Sequence, residues 1–159
     1  MLEAIIRAKN QEIERLLTCS DSIMRSIGGA APRLDREILC HPSGRLQVIA
    51  EVKKASPLKG LLCDFADPVK LALDYQKNGA AAISVLSDEK FFGGSKDYVA
   101  SVARAMELPV LRKDFILHEI QLYESLALGA RLVLLIASLH DYKSLLHLSE
   151  MSLKLGLEP

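Results

Sequence analysis

Apolar residues recur at helical spacing through the start of the chain, where Leu2, Ile5, Ile6, Ile13, Leu16 and Leu17 alternate with charged positions. This pattern predicts an amphipathic helix from Met1 to about Leu17. The stretch that follows, through "GGAAPRLDREILCHPSGR", mixes Gly, Pro and charge. It predicts a loosely structured connection with one short helix. From Val48 the pattern becomes regular. "VIAEV" predicts a strand, and "DPVKLALDYQKNG" predicts a helix with Asp67 as its N-cap, Pro68 at its first position and Gly79 closing it.

"AAISVL" predicts a second strand, followed by a helix from about Ser95 to Met106. "PVLRKDF" predicts a third strand, and "EIQLYESLALG" a helix ending at Gly129. "ARLVLLI" predicts a fourth strand, with a last helix from about Asp141 to Leu155 stopped by Gly156. Each strand is followed by a helix, and such β-α-β crossovers place strands parallel under covering helices. The class is α/β with four parallel strands. By pattern alone the units suit either a small open sheet or half of a (β/α)8 barrel. The first β-α turn, "KKASPLKGLLCDFADP", has one Gly and no GxGxxG, so a nucleotide-binding loop is weakly supported.

Composition narrows the function. The chain has 159 residues, enough for one domain or a piece of a larger one. Lys+Arg and Asp+Glu both count 20, which leaves no basic footprint for nucleic acid. Trp is absent and aromatics are scarce, which argues against a base-stacking surface. Cys19, Cys40 and Cys63 are scattered and odd in number, as expected of reduced thiols and not of a disulfide frame or zinc site. The N-terminus is not a signal peptide, and no run approaches the apolar length of a membrane span. A cytoplasmic protein without membrane contact is the expectation.

The strand ends hold the candidate chemistry. Alternation puts Ile49, Glu51 and Lys53 on one face of the first strand, with Ala50 and Val52 on the other. In the third strand Leu111 and Lys113 share a face, opposite Val110 and Arg112. A strand-three Lys is thereby expected to approach a strand-one Glu at the mouth of a barrel wall. A carboxylate between two ammonium groups can set a Lys up as a general acid. The bland alternative is a set of surface ion pairs, which contribute little. Phe92 and Phe115 are ordinary core candidates on pattern alone, and Leu134 is expected in the core. His118, His140 and His147 are expected at the surface or as caps, and Asp88 to Lys90 as a solvated loop. Ser56-Pro57 is a common turn start.

"VIAEVKKASPLKG", "AAISVLSDEKFFGGS" and "PVLRKDFILHEIQLYESLALGA" together resemble the indole-3-glycerol phosphate synthase family of (β/α)8 (TIM) barrels. The resemblance covers nearly the whole chain. It implies an N-terminal helical extension over residues 1–46 and the first four β-α units of a barrel over 47–159, a half-barrel. That family closes the indole ring of 1-(2-carboxyphenylamino)-1-deoxyribulose 5-phosphate with loss of carbon dioxide and water, using no metal or organic cofactor. Carried onto this chain, the resemblance makes Lys113 the general acid at the ribulose carbonyl. Lys53 becomes the contact to the anionic, phosphorylated substrate, and Glu51 the partner that orients Lys113. Ser56 lies in the first β-α loop, which closes over the site, while Phe92, Phe115 and Leu134 line the pocket for the aromatic ring. Leu58 stands where the family often has a small polar residue.

The resemblance also implies what lies past "KLGLEP". The family's fifth strand brings a glutamate general base, the sixth an asparagine, and the seventh and eighth the turns that grip phosphate. A positioned general base contributes roughly 10² to 10⁴ in rate, so a half without it is expected to be nearly inactive alone. Four strands are expected to leave edges bare at the first and fourth, with Ile49, Leu86, Leu111 and Leu134 on an uncovered inner face. Self-association, or a complementary C-terminal half-barrel, is the expected partner. The competing expectation is a catalytically dead half-barrel serving as a binding or assembly module.

Overall fold

The computed structural model describes residues 1–39, 43–44 and 46–159. The expected thiol Cys40 lies outside the described residues, and Cys19 and Cys63 are free and exposed. Helix α1 (Leu2–Thr18) buries Ile5, Lys9 and Ile13 at four-residue intervals, so the middle of its inward stripe is a lysine. Helix α2 (Ser20–Ser26) follows, then a short 3-10 turn over Arg36–Ile38.

Strand β1 (Ile49–Val52) leads into a small antiparallel hairpin of β2 (Ala55–Ser56) and β3 (Gly60–Leu61), where the sequence suggested only a mobile turn. The Ser56 hydroxyl accepts from the Lys59 N–H at 3.3 Å, and Gly60 supplies the left-handed backbone at φ +66° that closes the turn. Helix α3 (Pro68–Lys77) starts as expected, the Asp67 carboxylate accepting from Val69 N–H at 2.8 Å.

Strand β4 (Ala82–Leu86) is buried along its whole length. It is followed by α4 (Glu89–Phe92), a single turn that corrects the expected solvated loop at Asp88 to Lys90. Asp88 is 1% exposed and caps that turn through Phe91 N–H at 2.7 Å. A carboxylate can lie there because the Lys9 ammonium is 3.2 Å away. Gly94 then passes so close to β4 that a Cβ would stand 2.3 Å from the Leu86 carbonyl oxygen.

Helix α5 (Lys96–Ala105), capped by Ser95, precedes β5 (Val110–Lys113) and α6 (Ile120–Ala127). The His118 ring accepts from Ile120 N–H at 3.1 Å, so this histidine is a cap, as expected. His147 is exposed beside Glu119. Strand β6 is shorter than expected, with only Leu132–Val133 in the ladder. A 3-10 turn at Ala137–Leu139 and helix α7 (Tyr142–Leu155), capped by Asp141, complete the elements.

The main sheet is parallel in the order β1-β4-β5-β6. Val52, Ile83, Val85 and Val110 point toward the helices and pack with Ala72, Val99, Val102 and Ala130. Ile116, Leu122, Val133, Leu148, Leu155 and Leu157 form a second apolar cluster. Leu134 corrects an expectation: it is half-buried and outside both clusters. The bare edge expected at β6 is corrected too. The Val133 N–H donates to the Glu158 carbonyl at 3.0 Å and Glu158 N–H to the Arg131 carbonyl at 2.9 Å, so the chain's last residues run parallel beside β6. No described strand pairs with the outer edge of β1, where Ile49 is 45% exposed and nearby Leu46 97%. Among the described residues, no helix is long and apolar enough to cross a membrane.

Candidate active site

The parallel register decides which side chains meet. Glu51 is paired with Ser84, and Ser84 with Leu111; Leu86 is paired with Lys113. Residues in register share a face. Glu51 and Lys53 therefore stand on the same face as Ser84, Leu86, Leu111 and Lys113, opposite the helix-packed Val52, Val85 and Arg112.

On that face Lys113 Nζ donates to Glu51 Oε2 at 2.8 Å, reaching over β4 from a residue 62 positions away. Lys53 Nζ donates to the other oxygen, Glu51 Oε1. One half-buried carboxylate is thus held between two half-buried ammonium groups. Burial pushes the Glu51 carboxyl up, but hydrogen bonds from Lys113 and Lys53, with their charges, outweigh it and leave it below its ordinary value. Glu51 stays ionised, and the cluster keeps one net positive charge toward the mouth.

Phe92 and Phe115 meet beside it, with ring centroids 6.0 Å apart and planes at 42°. Both are half-buried and outside the two core clusters. Gly93, next to Phe92, lies against Lys54 and Ala55, so the β2–β3 hairpin packs on α4. The Ser56 hydroxyl is occupied by its own turn and not by the Glu51 cluster. Leu134 follows β6 two residues after Leu132, toward the strand's C-terminal end.

Behind β5 lies a polar network that alternation alone could not reveal. Arg112 and Asp114 are nearly fully buried and paired at 3.0 Å, and Arg112 also reaches Glu124 at 2.8 Å. Lys9 reaches Asp114 at 2.9 Å and Glu12 at 2.8 Å. Burial pushes the Asp114 carboxyl up, yet the Arg112 and Lys9 charges hold it well below the usual carboxylate range. Burial likewise opposes the charge on Lys9, and the neighbouring carboxylates, Asp114 first, raise it above the ordinary amine value. The one sequence signal for this network is a lysine at the centre of the Ile5–Ile13 stripe. The Ser84 hydroxyl, buried in the face between Glu51 and Leu111 with no hydrogen-bond partner among the described residues, was also missed.

A cavity of about 300 Å³ opens between α1 and the β4–α5 region, lined by Glu12, Arg15, Ser87, Glu89 and Lys96 among others. It contains none of Glu51, Lys53 and Lys113, and its mixed charges do not make an anion site. Among the described residues no cluster of His, Cys, Asp and Glu is arranged to hold a metal ion.

A family model described as indole-3-glycerol phosphate synthase matches residues 2–159. The curated indole-3-glycerol phosphate synthase of Chlorobium phaeovibrioides is 44% identical over 150 residues, 89% of this chain and 58% of that protein. That of a Geobacillus species is 42% identical over 158 residues, 99% of this chain and 59% of the relative. That of Desulforamulus reducens is 46% identical over 141 residues, 87% and 53%. The chain therefore spans little more than half the length of these relatives. With this likeness running through the β-α units and the helices before them, the chain belongs to the indole-3-glycerol phosphate synthase family of TIM-barrel proteins.

Proposed function

We propose that the chain supplies the acid side of an indole-forming ring closure on 1-(2-carboxyphenylamino)-1-deoxyribulose 5-phosphate, within a cytoplasmic biosynthetic enzyme. The observation that supports this best is the Glu51 carboxylate shared by Lys53 and Lys113 at the C-terminal ends of two parallel strands, the face where barrel enzymes keep their sites. In this reading Lys113 Nζ gives its proton to the ribulose carbonyl oxygen as the aromatic carbon attacks. Loss of carbon dioxide from the attacking carbon returns its electron pair to the aromatic ring. The new hydroxyl then takes a second proton and leaves as water while the neighbouring CH2 gives up a proton to close the indole double bond.

Glu51 holds the Lys113 ammonium at the end of β5 and offsets part of its charge. Lys53 carries the excess positive charge and meets the substrate's anionic groups. Phe92, Phe115 and Leu134 contact the aromatic ring, and Ser56 belongs to the hairpin over the mouth. Residues 1–46 serve as a helical extension to the units of 47–159. The exposed outer edge of β1 suits pairing with a complementary half-barrel or a second copy.

The test is turnover followed by indole fluorescence, with the chain alone and with a separately expressed complementary half from a family member. Product formed with the complement, and lost in Lys113→Ala, is the expected result. Ring closure by Lys113→Ala at the wild-type rate would sink the reading. A stable complex that forms no product would favour a binding or assembly module instead.

A further inference from the structure

We infer that Lys9, on the N-terminal helix, is a positioning residue for the site: it ties the β4–α4 turn to the end of β5 and thereby sets where Phe92, Phe115 and Lys113 stand. The inference rests on reading those three as site residues.

Lys9 is 1% exposed, in the middle of the stripe by which α1 packs on the rest of the chain. Three carboxylates surround its ammonium. Glu12, on the same helix, is partly exposed. Asp88 and Asp114 are both buried and belong to two different β-α connections. Each of those two carboxylates also governs the backbone of a candidate site residue.

Asp88 caps α4 through Phe91 N–H, and its carbonyl accepts from Gly94 N–H at 2.8 Å. The single turn so closed presents Phe92. Asp114 sits between Lys113 and Phe115. Its Oδ1 accepts from Phe115 N–H at 2.8 Å as well as from Lys9. Its Oδ2 accepts from the Ser87 hydroxyl at 2.6 Å and from Arg112 at 3.0 Å. The Lys113 carbonyl accepts from Ser87 N–H at 3.1 Å, and the Phe115 carbonyl from Gln121 at 2.9 Å. The backbone on either side of the Lys113 side chain is thus pinned from behind.

Stability alone does not account for this arrangement. A buried charge cluster is often no better than apolar side chains of the same volume, because desolvation offsets the attraction. Directed bonds fix geometry, which packing of a single turn against a strand end does poorly. Asp114 has Arg112 as a second cation, whereas Lys9 is the only cation paired with Asp88 among the described residues. Removing the ammonium would leave two buried carboxylates close together, since Lys9 Nζ lies 3.2 Å from Asp88 and 2.9 Å from Asp114. Repulsion would then move α4 away from β5.

The experiment compares Lys9→Met, which keeps the length and removes the charge, with Lys9→Met/Asp88→Asn. The second variant removes the unpaired carboxylate and keeps a good capping side chain, so it recovers stability without recovering the tie. In the full chain, the readouts are the ring-to-ring nuclear Overhauser contact between Phe92 and Phe115 and the carboxyl titration of Glu51 by carbon NMR. Loss of the ring contact and a rise of Glu51 toward its ordinary value, in a variant with native circular dichroism, is the expected outcome. A folded variant with the ring contact and the Glu51 titration unchanged would overturn the inference. So would unfolding of both variants, which would make Lys9 a folding residue. Neither readout needs turnover, so this inference can fail while indole formation stands, and the reverse.

Discussion

Lys113 and Glu51, separated by β4 in the sheet and by 62 positions in sequence, share a hydrogen bond of 2.8 Å. The bond exists because parallel pairing in register brings both residues to one face at the C-terminal end of the sheet. Lys53 completes it from just past the end of the strand that bears Glu51. If Lys113 is the general acid, Lys113→Ala should lower the turnover of the complemented enzyme by roughly 10² to 10⁴. A loss below tenfold would leave that role to another group.

The same pair predicts a pH dependence. Glu51 titrates below its ordinary 4.5 in the folded chain. Its contribution to stability is therefore fully present above about pH 4.5 and fades as pH falls through the lowered value. Glu51→Gln should unfold in less denaturant than the parent at neutral pH, and the difference should shrink on acidification below that point. A gap that stays constant into strong acid would contradict the ion pair.

Asp114 predicts a larger effect. Asp114→Asn takes one carboxylate from each of the buried Arg112 and Lys9 charges, leaving Arg112 with Glu124 and Lys9 with Glu12 and Asp88. It should cost roughly 3 kcal/mol in urea unfolding. The sign is that of Glu51: the stabilisation is present above about pH 3.8, the ordinary value, and is lost as pH falls through the depressed one. A change under about 1 kcal/mol would mean that the network relaxes freely.

Gly94 tests the turn that presents Phe92. A methyl group there would meet the Leu86 carbonyl oxygen at 2.3 Å, so Gly94→Ala must push α4 off the end of β4. The expected cost is roughly 1–3 kcal/mol by thermal unfolding, with the Phe92–Phe115 contact weakened. An unchanged melting temperature would show that the turn adapts.

The open edge of β1 predicts association. Leu46, Val48 and Ile49 are exposed at the outer edge of β1, which no described strand pairs, and such edges recruit other chains. Sedimentation should show concentration-dependent assembly that Ile49→Lys reduces. A monomer at every concentration would refute this.

Local chemistry was legible in the chain. Asp67 caps its helix as expected, Ser95 and Asp141 cap the helices expected to begin near them, and Gly79, Gly129 and Gly156 follow helices with left-handed backbone. Period-two alternation placed Glu51 with Lys53 on one face of its strand and Lys113 with Leu111 on one face of its own, because each depends on nothing beyond the strand itself, whereas the register makes the two faces one. Asp88 was misjudged as solvated and Lys9 was overlooked. Each is a charged residue buried against opposite charge from a distant segment, Asp88 against Lys9 and Lys9 against Asp88 and Asp114, and the first two are 79 positions apart. The expected bare edge at β6 failed for a related reason, since which backbone returns to pair with it is not a local property.

The chain's own pattern thus determined its class, the parallel sense of its strands and the identity of its charged strand ends, through turn chemistry and periodicity that act over a few residues. Only the tertiary structure decided which charges are buried and which carboxylate each ammonium meets. Those choices rest on desolvation and on distances of a few ångströms between segments that are remote in sequence.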